Sequence, residues 1–484
     1  MKKPLKLLAL LLAGLTLAAC GEAAAPAVNT PQAAEETTAA VTTEAETAPH
    51  DNVPELDFDG YTVRFLTSKT TSTYCITAIT EQTGDILNDT MYDRTRWVEN
   101  RFNVELAADV VNADATAAMN TLTNSVSAGD DAFDITMMLG RRAFANASEG
   151  YYYDQKTLPY IEFDRDWWFG DINRQVNLTE HNYISFGSLN LGVYDFMNVV
   201  LFNKDMLNRY TMDSPYDMVD SNTWIYDNFT AMAKAVIADL DGDGAMTDKD
   251  QYGIADRSNA ALNNFITAAR ERTVVLDADN IPHLNIDGNA RLFEIFERVS
   301  ALYWDEGIWY TKTTSENDYY VKWPFFENGQ SLFADRSLYS ISKLRAMDSD
   351  FGIVPFPKYE ESQDAYGIMI EAGGRATAIP NTIKKPEVVG AVLEALNFYS
   401  YTEVVPAYYE ISLKQKYSRD NDSGRMFDLV LDSIYYDLGN TMFCDTVKDG
   451  VLNLFRTGGR DLASSVASKS NAVQDAIDKA LGNK

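Results

Sequence analysis

The chain is poor in the residues that carry most redox, metal and general-base chemistry: its 484 residues include only three cysteines and three histidines. Three cysteines build neither a disulfide scaffold nor a four-thiolate metal centre. His50, His181 and His283 stand far apart, and no G-x-S-x-G, H-E-x-x-H or phosphate-loop run occurs. Basic residues are also scarce, 41 Lys and Arg against 71 Asp and Glu, for a formal net charge of −30. Such a surface repels phosphate backbones and anionic headgroups, so no nucleic-acid partner is expected. After Leu17 every apolar stretch is broken by polar residues before it reaches bilayer-spanning length.

What is present is enough to fold. A composition that is 46% hydrophobic and 12% aromatic buries a real core, and the length suits two or three domains or one two-lobed body. The N-terminus sets the compartment. Lys2, Lys3 and Lys6 precede an apolar run from Leu7 to Leu17, and small residues lead to Cys20, the pattern of a signal peptide over residues 1–19. Leu17-Ala18-Ala19-Cys20 resembles a bacterial lipobox, which implies a lipidated Cys20 as the mature N-terminus and membrane contact through the lipid anchor alone. Loss of three Lys and no acid moves the charge from −30 to −33. Residues 20–52 are rich in Ala, Thr and Glu, hold no aromatic and read as a disordered tether. The folded body starts near Val53, outside the membrane. Cys75 and Cys444 either pair there or remain two buried thiols.

Strand and helix patterns alternate along the body. Tyr61–Leu66 and Asn103–Val111 are β-rich, Asn88–Phe102 and Asp114–Ala128 have helical periodicity, and Phe133–Leu139 is a continuous apolar strand. Arg291–Tyr303, Pro386–Tyr399 and Leu462–Leu481 are further helices, the second with Val389, Val392, Leu393 and Leu396 on one stripe. Strands alternating with helices predict an α/β class with parallel-rich sheets. Trp167-Trp168 and the Trp304 and Trp309 pair are either sugar platforms or core, and the end of an amphipathic helix favours core for Trp304.

Asp239-Leu240-Asp241-Gly242-Asp243-Gly244-Ala245-Met246-Thr247-Asp248-Lys249-Asp250 matches an EF-hand loop. Asp239, Asp241 and Asp243 take positions one, three and five, Gly244 the turn at six, Ala245 seven, Thr247 nine and Asp250 twelve, where Glu is usual. Hard oxygen ligands on a compact loop point to Ca2+. No second helix follows the loop, so the site is expected to stabilise and not to switch.

Five ordered stretches resemble the extracellular solute-binding proteins of bacterial ABC importers, the sugar-type family that includes maltose-binding protein. They are Gly129–Ile135, Asn198–Leu207, Phe325–Phe333, Phe351–Pro357 and Gly374–Pro380. The resemblance implies a two-lobed periplasmic-binding-protein-like fold with crossing hinge segments near Leu191–Asn198 and Glu371–Ala376. It divides the body into an N-terminal lobe, 53–193 plus 372–413, and a C-terminal lobe, 194–371 plus 414–484. It also implies ligand contacts from Arg141 and Arg142 in the first lobe and from Asp335, Arg336 and Tyr339 in the second, although 335–339 holds no Trp where the family stacks an aromatic. Thr67, Ser68 and Lys69, at a strand's carboxyl end, and Trp323, in a less periodic region, complete the expected set. The implied function is delivery of a small-molecule ligand, a sugar or oligosaccharide, to ABC permease membrane subunits, without catalysis. A lipid-anchored glycoside-acting enzyme and a surface adhesion protein are the rival readings; turnover of an oligosaccharide separates the first from a binder.

Overall fold

The computed structural model describes residues 49–69, 79–111, 113–147, 149–255, 260–304, 308–310, 325–341, 344, 347–371, 374–409 and 421–482. Cys20 with the signal peptide, Cys75, Trp323 and the side chain of Tyr339 lie outside the described residues.

Strands β1 (Tyr61–Ser68), β2 (Val104–Val111), β3 (Ile135–Leu139) and β4 (Ile184–Ser185) belong to a first sheet. The chain then runs through β5 (Asn198–Asn203) and β6 (Tyr252–Ala255), a small hairpin of β7 (Val274–Leu276) and β8 (Pro282–Leu284), and β9 (Trp309–Tyr310), β10 (Ser331–Ser337) and β11 (Phe351–Val354) before β12 (Arg375–Ala378). The first sheet has the order β2-β1-β3-β12-β4 and the second β11-β5-β10-β6-β9. Sequence predicted the early elements closely because their boundaries carry local chemistry. Asp114 accepts from the amides of Thr116 and Ala117 to start helix Ala115–Ala128, and Gly129 ends it with φ of 72°.

The sheets are mixed. In the first, β1 pairs parallel with β2 and β3, whereas β12 is antiparallel to both β3 and β4. In the second, β6 pairs parallel with β10 and β9, whereas β5 is antiparallel to both β10 and β11. Four strands of each sheet therefore point one way and one is reversed. The reversed strands are β5 and β12, which follow the two places where the chain passes from one sheet to the other. A strand fed by a returning helix enters at the far edge, but one that arrives directly from the other sheet enters at the shared edge and must run backwards.

Both faces of each sheet are buried. In the first lobe Phe65, Ile135, Val98, Phe102 and the expected stripe Val389, Val392, Leu393 and Leu396 are all fully buried. In the second, Phe229 packs 4.7 Å from Phe333 and Trp224 donates to the Pro355 carbonyl at 2.8 Å. Each such side chain contributes about 1.5–3 kcal/mol by leaving water. Trp167 and Trp168 are core, not platforms, and both indoles donate to Glu394, at 2.8 and 2.9 Å. Trp304 closes its helix end by donating to the Phe455 carbonyl at 2.9 Å.

Candidate functional site

The two crossings between the sheets run side by side. Met197 bridges Ile370, the Asn198 amide donates to the Met369 carbonyl and the Glu371 amide to the Phe196 carbonyl, both at 3.1 Å. Arg375 lies over the Phe196 ring at 5.2 Å, and a Cβ on Gly192 would come within 2.2 Å of the Arg375 side chain. Glycine at 192 thus serves close approach. Tyr408 donates to the buried Asp195 carboxylate at 2.8 Å, which ties the helix after the first-sheet core to the same floor.

The first wall is formed by strand ends of the first sheet. Thr67 is buried and donates to the Met137 carbonyl at 2.9 Å, so its hydroxyl joins β1 to β3. Ser68 is buried, while Lys69 is exposed at the strand's end with its amide bound to Val111. Arg141 and Arg142 open helix Gly140–Ala147 directly after β3, and both are exposed. Arg141 does not extend as a free fork: it pairs with Asp445 and, at 3.0 Å, with Asp449, whose other oxygen accepts from Arg456 at 2.8 Å. That acidic segment is packed on the second lobe through Phe455, 5.0 Å from Tyr303. Arg141 is therefore a bridge between lobes. The same helix leads to Glu149, which pairs with Lys479 at 2.5 Å, and Phe144, Ala147, Met442 and Leu481 are among the residues lining a cavity of about 180 Å³.

The second wall carries a buried amide relay. Asn198 donates to Asn264 at 3.0 Å and Asn264 to Asp335 at 2.8 Å. Asn263 donates to Asn440 at 3.1 Å, and Asn440 reaches the Ile370 carbonyl at 3.4 Å. Strand alternation sends Asp335 and Arg336 to opposite faces, and Arg336 reaches Glu327 at 3.2 Å. Both are almost fully buried, so the pair expected to meet ligand is instead embedded in the lobe that forms the wall. Tyr339 falls in the short helix Leu338–Ile341 that follows β10. Below the relay, Asp437 accepts from the Thr273 hydroxyl at 2.7 Å and from the amides of Thr273, Val274 and Gly439; burial pushes its carboxyl above the ordinary range.

The acidic loop lies between helix Tyr226–Ala235 and β6. Asp239, Asp241 and Asp243 bring carboxylate oxygens within 4.8 Å of one another on the surface. Asp250 is turned inward: it accepts from the amides of Leu240 at 2.8 Å and Thr247 at 2.6 Å, and the Thr247 amide holds its carboxyl below the usual range. The donor set of three converging carboxylates with the Ala245 and Thr247 positions following them fits a hard divalent cation, and Asp250 acts as the staple that closes the loop.

No family model matches the chain, and no curated protein matches it. Among solved structures, an ABC substrate-binding protein from Listeria monocytogenes in complex with cycloalternan superposes with a TM-score of 0.54 at 13% identity, over 88% of this chain and 100% of that one. The chain has the solute-binding-protein fold. Two more structures share that solute-binding fold: UspC of M. tuberculosis, with a TM-score of 0.56 at 17% identity over 87% of this chain and 99% of that one, and the galacto-N-biose-/lacto-N-biose I-binding protein of Bifidobacterium longum in complex with lacto-N-biose, with 0.56 at 13% over 87% and 98%. In the described residues of this solute-binding fold no helix is long and apolar enough to cross a membrane.

Sequence reasoning missed Asn264, Glu394 and Asp437. Each meets partners more than sixty positions away, and no local spacing signals such a contact.

Proposed function

We propose that the chain is a lipid-anchored, extracytoplasmic substrate-binding protein that delivers a carbohydrate to the permease of an ABC importer, held to the membrane by Cys20. The observation that carries this reading is the pair of hydrogen-bonded crossings beneath two lobes, with walls from both that already touch through Arg141 and Asp445. Two rigid bodies on such a floor can close on a ligand that touches both. Support comes from the carbohydrate complexes of the Listeria and Bifidobacterium proteins of like fold. The reading includes a structural Ca2+ on Asp239, Asp241 and Asp243, which would pin the loop ahead of β6.

The test is a glycan array probed with the body from Val53 onward, followed by calorimetry and small-angle scattering on the hits. Saturable binding of a saccharide without turnover, together with a smaller radius of gyration, is expected. Hydrolysis of the bound saccharide, or no saccharide bound, overturns the reading. Replacement of Cys20 by Ala should release the full chain from membranes in a high-salt wash; retention of that variant would remove the anchor.

A further inference from the structure

The first lobe carries a cavity of about 500 Å³, inside the span of about 300–1,000 Å³ that small-molecule sites occupy. Every residue lining it lies between Lys156 and Asn182. Asn173, buried on helix Gly170–Val176, donates to the Phe186 carbonyl at 2.8 Å and accepts from the Phe186 amide at 2.9 Å, which locks that helix to the segment after β4. Two other amides of the lining are idle. Asn177, at the end of the same helix, and Asn182, only 1% exposed, each keep a buried Oδ1 that meets no donor. A buried acceptor left unmet is costly until something with an O–H or N–H enters. The cations of the lining differ in the same way: Arg165 pairs with Glu162 and Arg174 with Asp171, whereas Lys156 has no ion pair among the described residues. Phe163, half-buried and edge-on to Trp168 at 4.9 Å, adds an aromatic ring.

An occupant of this cavity has to donate to two amide oxygens and accept from a lysine. An ionised carboxylate or sulfate has no proton to donate and would sit beside Glu162 and Asp164. An ammonium donates, but it meets Lys156, Arg165 and Arg174. An apolar molecule leaves both acceptors unmet. A hydroxyl donates and accepts at once, and a sugar ring carries several around an apolar face that suits Phe163. We propose that this cavity is a second saccharide site, distinct from the space between the lobes, that takes a short neutral sugar. It does not rest on the transport reading. Because one lobe supplies all of its walls, its occupant has no preference for a closed form and leaves the radius of gyration unchanged.

The experiment measures hydrogen exchange and small-angle scattering on the full chain with a panel of neutral mono-, di- and trisaccharides, and with sodium sulfate and sodium glucuronate as the anionic arm. At least one neutral sugar should slow exchange in residues 156–182. The double replacement Asn177→Ala and Asn182→Ala should weaken that protection about tenfold, and Lys156→Met should weaken it by a smaller factor. The ligand-free double variant should melt no lower than wild type, since the lost oxygens have no protein donor; if it fails to fold, the exposed Lys156 decides, and undiminished protection in Lys156→Met overturns the site. No protection by any neutral sugar, stronger protection by sulfate or glucuronate, or protection indifferent to the substitutions each overturn the proposal. A sugar that shrinks the radius of gyration while residues 156–182 stay unprotected overturns this site and leaves the transport reading standing. Protection of residues 156–182 at constant radius supports the site whatever the cleft binds.

Discussion

The two lobes share one strand plan but spend their polar groups differently. At the cleft edge of the first lobe, the hydroxyl of Thr67 and the guanidinium of Arg141 are already engaged, one between neighbouring strands and the other with the opposite lobe. At the edge of the second, an amide relay ends near the crossing at the Ile370 carbonyl. The buried acids differ in the same sense. Glu394 in the first lobe is held by two side-chain donors, the indoles of Trp167 and Trp168, whereas Asp437 in the second is held chiefly by backbone amides that have no alternative partner. Indoles can rotate or repack; amides in a fixed turn cannot. The comparison teaches that the second lobe depends more on each single polar anchor.

That contrast can be broken most forcefully at Asp437. Replacement by Ala strands several buried donors and should cost about 3–5 kcal/mol, read as a lower urea midpoint. Equal losses from Asp437→Ala and Thr273→Val would show that the hydroxyl bond, not the set of amides, matters.

Glu394 gives the next largest effect and a different signature. Burial raises its carboxyl from the usual 4.5 to about 7 despite the indole donors. The folded form then binds more protons than the unfolded form between those values, so stability falls as pH rises through that window, by on the order of 3 kcal/mol. Chemical denaturation at pH 5 and pH 8 should show it, and Glu394→Gln should flatten the difference. A wild-type profile with no slope from pH 5 to 8 would refute this account.

Calcium should act on the second lobe alone. At a hundredfold excess over its dissociation constant, a bound ion adds about 2.7 kcal/mol, and the double replacement of Asp241 and Asp243 by Ala should erase the rise in melting temperature. Magnesium should do less, because it demands a tight octahedral shell.

The smallest effect belongs to Arg141. Its pairs are substantially exposed, so Arg141→Ala should cost under about 1 kcal/mol in stability. It should nevertheless enlarge the ligand-free radius of gyration at low salt, and high salt should produce the same expansion in wild type. A radius unchanged by both would separate this bridge from closure.

Much of the fold was legible because it is written in local signals. Helix Pro386–Tyr399 has the bounds that Pro at its first turn and a repeating apolar stripe predict, and Asp114 and Gly129 bracket their helix as cap residues should. The crossings were legible only through resemblance; periodicity is silent on which strand reverses. The site was least legible. Asp335 and Arg336 look like cleft ligands in sequence, but alternation and neighbours 71 positions away bury the first against Asn264, and the second turns to Glu327.

The reversed strand β12 also sets a timetable. It fills the gap between β3 and β4, and Thr136 donates to the Ala378 carbonyl across 242 positions of chain. The first sheet stays incomplete, with two open edges inside it, until nearly four-fifths of the polypeptide has emerged from whatever makes or exports it. The lobe that begins first must finish late, a delay that long sequence separation makes slow in any refolding experiment.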